Sequence, residues 1–122
     1  MLQFVKFAEL PVANQDRAVR FYTEKLGLTV VENSSYQGDW RWIELQIAGA
    51  QTRILLTKQT SDHATDAPRL VLITDDVDVT YRELLGKQVT FTKEPTAAPW
   101  QPGQRFAQFR DSEGNGIVIS TQ

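Results

Sequence analysis

The sequence holds no cysteine. That absence removes disulfides, a thiol nucleophile and thiolate metal sites, and it fits a cytoplasmic protein. There is one histidine, His63, too few imidazoles for the usual three-ligand catalytic zinc centre. No apolar run approaches the roughly 20 residues of a membrane span. Met1 to Leu10 runs into Pro11 without the extended apolar core of a secretion signal, so none is expected. Excess basic charge is missing too: 13 Lys and Arg stand against 15 Asp and Glu, a net charge of −2. Nucleic acid is therefore not an expected partner. No G-x-S-x-G elbow and no phosphate-cradling glycine motif occurs, and Gly114-Asn115-Gly116 reads as hairpin turn chemistry. What remains is a chain of 122 residues, 41% hydrophobic and 23% charged. This is one domain's worth, 1–122, of ordinary globular composition.

The chain contains itself twice. Tyr22-Thr-Glu-Lys-Leu-Gly27 recurs as Tyr81-Arg-Glu-Leu-Leu-Gly86, 59 positions later. A second stretch repeats at 64 positions, with Arg41-Trp-Ile-Glu-Leu45 over Arg105-Phe-Ala-Gln-Phe109 and Ile54-Leu-Leu-Thr57 over Val118-Ile-Ser-Thr121. Such internal repetition sets the fold. It predicts two similar half-sites facing one another across a cleft, with Tyr22 equivalent to Tyr81 and Ile54 to Val118.

The expected order is the same in both halves. Gln3 to Val12 reads as a strand, and Asn14 caps a helix whose stripe is Ala18, Phe21, Tyr22, Lys25 and Leu26, stopped by Gly27. Leu28 to Glu32 reads as a strand and Asn33 to Gly38 as a polar turn. Trp40 to Ala48 and Thr52 to Thr57 form a hairpin around Gly49-Ala50-Gln51. Module one thus covers about 1–58, a polar linker about 59–68 and module two about 69–122. In the second module Arg69 to Thr74 is a strand, and Asp75 or Asp76 caps a helix bearing Val77, Tyr81, Leu84 and Leu85, stopped by Gly86. Val89 to Lys93 is a strand, and Phe106 to Arg110 with Ile117 to Thr121 form the second hairpin. The fold class is α+β, with tandem βαβββ modules forming a cupped, partly open mixed sheet.

Strand alternation assigns the faces. Ile43, Leu45 and Ile47 should pack under the helix, leaving Trp42, Glu44 and Gln46 on the concave face. The repeat puts Phe106, Gln108 and Arg110 at equivalent positions, with Ala107 and Phe109 in the core.

Three motifs now carry a resemblance. Leu10-Pro-Val-Ala-Asn-Gln-Asp-Arg-Ala-Val-Arg-Phe-Tyr-Thr-Glu-Lys-Leu-Gly-Leu28 resembles the opening of vicinal oxygen chelate proteins, the superfamily of glyoxalase, bleomycin-resistance proteins and extradiol dioxygenases. Thr74-Asp-Asp-Val-Asp78 resembles that family's acidic entry to its second helix, and Phe109-Arg-Asp-Ser-Glu-Gly-Asn115 its last hairpin turn. The resemblance implies paired βαβββ modules around a cupped site, usually in a homodimer. A fold of this kind hosts many activities. It also implies, for metal-dependent members, ligands at positions that fall here on Phe7, Ile54, Arg69 and Val118. None of these is a normal metal ligand, since divalent metals need carboxylate, imidazole or thiolate donors. No cofactor is expected.

The individual residues leave alternatives open. His63, between Asp62 and Asp66, reads as an exposed loop histidine rather than a metal ligand or base. Trp40, Trp42, Phe106 and Phe7 could wall a site for a planar or cationic ligand, or simply fill the cup or a dimer interface. Glu9, Glu44, Arg69 and Arg110 could form structural ion pairs, or anchor a ligand through bidentate Arg–carboxylate contacts. Trp100, in a loop with three prolines, could be a lid over the cup or a dimer anchor. Gln108 completes the expected ligand-facing set. The expected function is a metal-free protein that sequesters a small, partly aromatic molecule. The alternative is a lyase, isomerase or dioxygenase of the same fold that takes its metal through displaced residues, with Glu9 and Glu44 as ligands or bases. A homodimer follows from sheet edges that one short chain can hardly cover.

Overall fold

Phe7–Val12 (β1) lies parallel to Arg53–Lys58 (β4), which runs antiparallel to Trp40–Gln46 (β3), itself antiparallel to Thr29–Gln37 (β2). The result is a four-stranded sheet in the order β1-β4-β3-β2. Pro68–Ile73 (β5), Thr90–Ala97 (β6), Arg105–Arg110 (β7) and Gly116–Ser120 (β8) repeat the pattern as β5-β8-β7-β6. A helix follows the first strand of each sheet, Gln15–Arg20 (α1) in one and Val77–Gly86 (α2) in the other. These are tandem βαβββ modules of an α+β fold, and neither sheet closes. The computed structural model describes residues 1–60 and 67–122, so His63 and most of the expected linker lie outside the described residues. The chain divides into two units, Met1–Asp62 and His63–Gln122.

Each helix starts where its cap dictates. The Asn14 side chain accepts from the Arg17 N–H at 3.0 Å, and the Asp76 side chain from the Val79 N–H at 3.1 Å. Each cap satisfies an amide that the first helical turn leaves without a partner. Gln15, at the start of α1, then ties the helix to β3. Its side-chain amide donates to the Arg41 carbonyl at 2.7 Å and accepts from the Arg41 N–H at 3.0 Å. The side chain thereby pairs with β3 as a neighbouring strand would.

The core of each unit follows the alternation. Ile43 and Leu45 are 1% and 0% exposed and share the first core with Leu10, Val12, Ala18, Tyr22 and Leu56. Ala107 and Phe109, both 0% exposed, anchor the second with Val77, Leu84 and Ile117. Burying a side chain of Leu or Ile size stabilises by roughly 1.5–3 kcal/mol, so these stripes decide which face turns inward. Ile47 is the exception: it lies past the end of β3 and is exposed.

Several boundaries differ from the sequence reading. Gln3 to Lys6 is not strand. The stretch Asn33 to Gln37 is not a polar turn but the far half of β2, paired to β3, with irregularities at Val30/Glu32 and Ser35/Gln37. β2 is an edge strand, where polar side chains can face water while the backbone still pairs. β6 likewise runs on to Ala97 through Pro95, at a register shift between Lys93 and Thr96. Proline is tolerated at such edge irregularities. Gly86 is the last residue of α2 rather than its stop, and the left-handed position falls on Gln88, φ +66°.

The modules form, but the residue pairs expected to be equivalent are not. Eight positions past their caps stand Tyr22 and Leu84, both buried. Leu84 takes the place assigned to Tyr81. In the ladders, Leu45 faces Ile54 while Phe109 faces Ile117, and Glu44 faces Leu55 while Gln108 faces Val118. Val118 therefore corresponds to Leu55, not Ile54, which points into the core with Leu45.

Left-handed backbone costs a non-glycine residue about 1–2 kcal/mol. Gln88→Gly should therefore raise unfolding stability by about 1 kcal/mol, read from urea denaturation. An unchanged or lower midpoint would show that the Gln88 side chain offsets the strain.

Candidate functional site

Glu44 of β3 lies opposite Leu55 of β4, and Leu55 opposite Glu9 of β1. Directly paired residues share a face, so Phe7, Glu9, Trp42, Glu44 and Leu55 all turn away from the core. Over that face opens a cavity of about 670 Å³, lined by Phe7, Glu9, Tyr36, Trp40, Trp42 and Leu55, with Lys6 and Lys58 among its other residues. The Phe7 and Trp42 rings meet edge to face with centroids 5.8 Å apart, and those of Tyr36 and Trp42 at 5.2 Å. Edge-to-face contacts at this spacing are favourable ring geometry. Trp42 is thus held between two other rings.

Glu44 supports this wall from beneath and is absent from the cavity lining. It is 6% exposed. The Trp42 indole Nε1–H donates to Glu44 Oε2 at 2.7 Å, and Arg53 Nη1 donates to Glu44 Oε1 at 2.8 Å. Burial alone would push the Glu44 carboxyl up. The hydrogen bonds from Arg53 and Trp42, with the charges of Arg53 and Lys6, outweigh it and hold the carboxyl below its ordinary value. Of the alternatives for Glu44, the geometry is that of a structural ion pair.

In the second unit Phe106 and Gln108 of β7 face a cavity of about 580 Å³, with Val71, Ile73, Val118 and Trp100. The Trp100 ring lies 4.7 Å from that of Phe106, and its Nε1–H donates to Gln104 Oε1 at 3.0 Å. Among the described residues no charged side chain lines this cavity. Two residues named with this group stand outside it. Arg69 is exposed at the irregularity between Pro68 and Leu70 in β5, so the alternation does not carry it into the lining. Arg110 Nη1 donates to the Gly114 carbonyl at 3.0 Å and braces the β7–β8 turn.

Phe7, Glu9 and Trp42 therefore gather in one unit, and Trp100, Phe106 and Gln108 in the other. Tyr36 went unread because its segment is polar. Tyr36 falls at the register shift between Ser35 and Gln37, so alternation does not assign its face; its ring contact with Trp42 and its place in the cavity lining do. The positions that carry metal ligands in metal-dependent relatives do not suit a divalent ion. Phe7, Leu55 and Val118 offer no donor, and Arg69 adds positive charge. Among the described residues no three His, Cys, Asp or Glu side chains stand together.

Comparison with known proteins agrees with this frame. The model of the Glyoxalase/Bleomycin resistance protein/Dioxygenase superfamily matches residues 4–119. Protein YurT of Bacillus subtilis (strain 168) is 33% identical over 120 residues, covering 88% of this chain and 91% of the relative. A superfamily member from Sphaerobacter thermophilus DSM 20745 superposes with a TM-score of 0.86 at 30% identity, over 99% of this chain and 98% of that one. TnmS3, an antibiotic binding protein from Streptomyces sp. CB03234, does so with a TM-score of 0.83 at 28% identity, over 98% and 96%.

The Glu44 cluster gives a pH dependence of defined sign. Its native carboxyl ionises more readily than the unfolded one, so its stabilisation is present above the ordinary value of 4.5 and lost as pH falls through the lowered native value. Wild-type urea midpoints should drop between about pH 5 and pH 3 more steeply than those of Glu44→Gln. Parallel curves would mean that Glu44 is not tuned by this cluster.

Proposed function

The chain belongs to the glyoxalase/bleomycin resistance protein/dioxygenase superfamily, and on that premise we propose that it sequesters a small, partly aromatic molecule without a metal. The observation that carries this reading is the Phe7–Trp42–Tyr36 wall over an open cavity of about 670 Å³, a volume within the range of small-molecule sites. Trp42 needs little reordering to receive a ring, because Glu44 already holds its indole N–H. The likeness to an antibiotic binding protein supports binding over catalysis. Glu9 is the ligand-facing carboxylate of the first unit, and Trp100, Phe106 and Gln108 are the ligand-facing groups of the second. Arg69 and Arg110 stay outside that set.

The working form is a homodimer. Each sheet leaves its outer strands unpaired within its own unit, β1 and β2 in one, β5 and β6 in the other, and Phe4, Val5, Val71 and Ile73 are exposed. Sedimentation at micromolar concentration should give a dimer, and a 13.8 kDa species would refute it. An enzyme using displaced ligands would instead retain near one equivalent of zinc, nickel, manganese or iron in elemental analysis.

A thermal-shift screen of planar aromatic compounds should find ligands, since binding to the native state alone raises its stability. Trp42→Ala should weaken the best of them by about 1–3 kcal/mol, with Trp42→Phe in between and both variants folded by circular dichroism. Wild-type affinity in both would remove the first-unit cavity as the site.

A further inference from the structure

We infer that the first-unit cavity selects planar aromatic acids, with Lys6 or Lys58, at opposite ends of the β1–β4 pair, receiving the anionic group. The inference rests on the binding role proposed above and names the chemistry of its ligand. Both lysines line the cavity, and each ammonium is already seated on a ring: Lys6 Nζ lies 5.4 Å from the Phe7 centroid and Lys58 Nζ 5.9 Å from that of Trp40. A cation held over an aromatic face occupies the place that a cationic ligand would seek. It also presents its remaining N–H donors to an incoming carboxylate or sulfonate, where a charge-assisted bond is stronger than a neutral one.

The rest of the lining points the same way. Its cations are Lys6, Arg41 and Lys58, and its anions Glu9 and Asp39. The Arg41 guanidinium is engaged with the Asn33 side chain and carbonyl, which leaves the lysines as the rim donors. Lys6 is an exposed residue at the cavity edge, and its charge helps to hold the Glu44 carboxyl below its ordinary value. Glu9 is exposed at the same cavity, and its role is to accept from a hydroxyl on the ligand, so that a hydroxylated aromatic acid matches both signs of charge. Among the described residues no charged side chain lines the second-unit cavity, although Lys93 Nζ lies 5.9 Å from the Phe106 centroid, so the acid preference is assigned to the first unit on its two lining lysines.

The test uses three probes of one ring system: 3-hydroxy-2-naphthoate, the neutral 2-naphthol and the cationic 2-naphthylmethylammonium. Quenching of tryptophan fluorescence in the intact protein gives each affinity. The acid should bind about fivefold more tightly than the naphthol at low salt, the scale of one or two exposed charge pairs. That preference should shrink at high salt as the charges are screened. In Lys6→Gln/Lys58→Gln the acid-to-naphthol ratio should collapse toward one, with folding checked by thermal melting. Equal affinities in the wild type, a preference for the ammonium, or an unchanged ratio in the double variant would overturn the charge selection while leaving the stacking site standing. No quenching by any probe would overturn the site itself, and with it the binding role.

Discussion

A carboxylate turned away from water on the cavity-bearing face of a sheet is the constraint around which the first unit is arranged. Glu44 is almost fully buried, and an isolated buried charge is costly. It persists because Arg53 and the Trp42 indole both donate to it. A buried pair of this kind contributes little net stability, since its Coulomb gain is largely spent on desolvation. Its consequence is geometric. Arg53 sits opposite Phe7 in the β1–β4 ladder, so one carboxylate fixes the indole that forms the wall and borrows its counter-charge from the strand beside Phe7. Two strands, β3 and β4, thus meet at a single anion, and the Trp42 indole of the aromatic wall is oriented by it.

Much of this was legible in the residues. The alternation of Ile43 and Leu45 with Trp42 and Glu44, and of Ala107 and Phe109 with Phe106 and Gln108, assigned both faces of the central strands. Asn14 and one of the two candidate aspartates, Asp76, announced the helix starts. The edge strands were not legible. β2 and β6 carry polar residues, irregularities and, in β6, a proline, so their composition hides strands that pair with the very next strand, β3 and β7. Tyr36 was lost with β2. Nor could alternation foresee that Arg69 falls at a register shift, because such a shift is set by how β5 meets β8.

The repeat was legible as a fact but not in its register. Two motif matches gave spacings of 59 and 64 residues, whereas the helix caps stand 62 apart and Leu55 and Val118 stand 63 apart. The physical reason lies in single-residue adjustments. From cap to the buried residue entering the next strand the chain takes fourteen steps in the first module, Asn14 to Leu28, and thirteen in the second, Asp76 to Val89. The first helix absorbs the extra residue by widening into a π-helical turn at Phe21–Lys25, where the Leu28 N–H reaches the Tyr22 carbonyl at 2.9 Å. Thr23 assists there by donating its hydroxyl to the Val19 carbonyl at 2.8 Å. The β3–β4 connection is likewise one residue longer than the β7–β8 connection. Core residues keep their faces while the spacing drifts, so matching letters mark equivalent elements more reliably than equivalent positions.

The same drift bears on the chemistry. Moving the fourth family position from Ile54 to Leu55 takes it out of the core and into the cavity, yet the residue found there is still apolar. A metal-binding frame needs donors at those places; here the frame offers Phe7, Leu55 and Val118. On the proposed reading, apolar side chains at these positions give each unit a surface suited to a flat hydrocarbon rather than to an ion. Discrimination must then come from the rim. In the first unit the lining carries charges of both signs; in the second the lining among the described residues is neutral, with Lys93 Nζ 5.9 Å from the Phe106 centroid. A duplicated backbone has therefore diverged in its side chains into surfaces of different polarity. On the proposed reading, that divergence lets the two cavities differ in the ligand groups they accept.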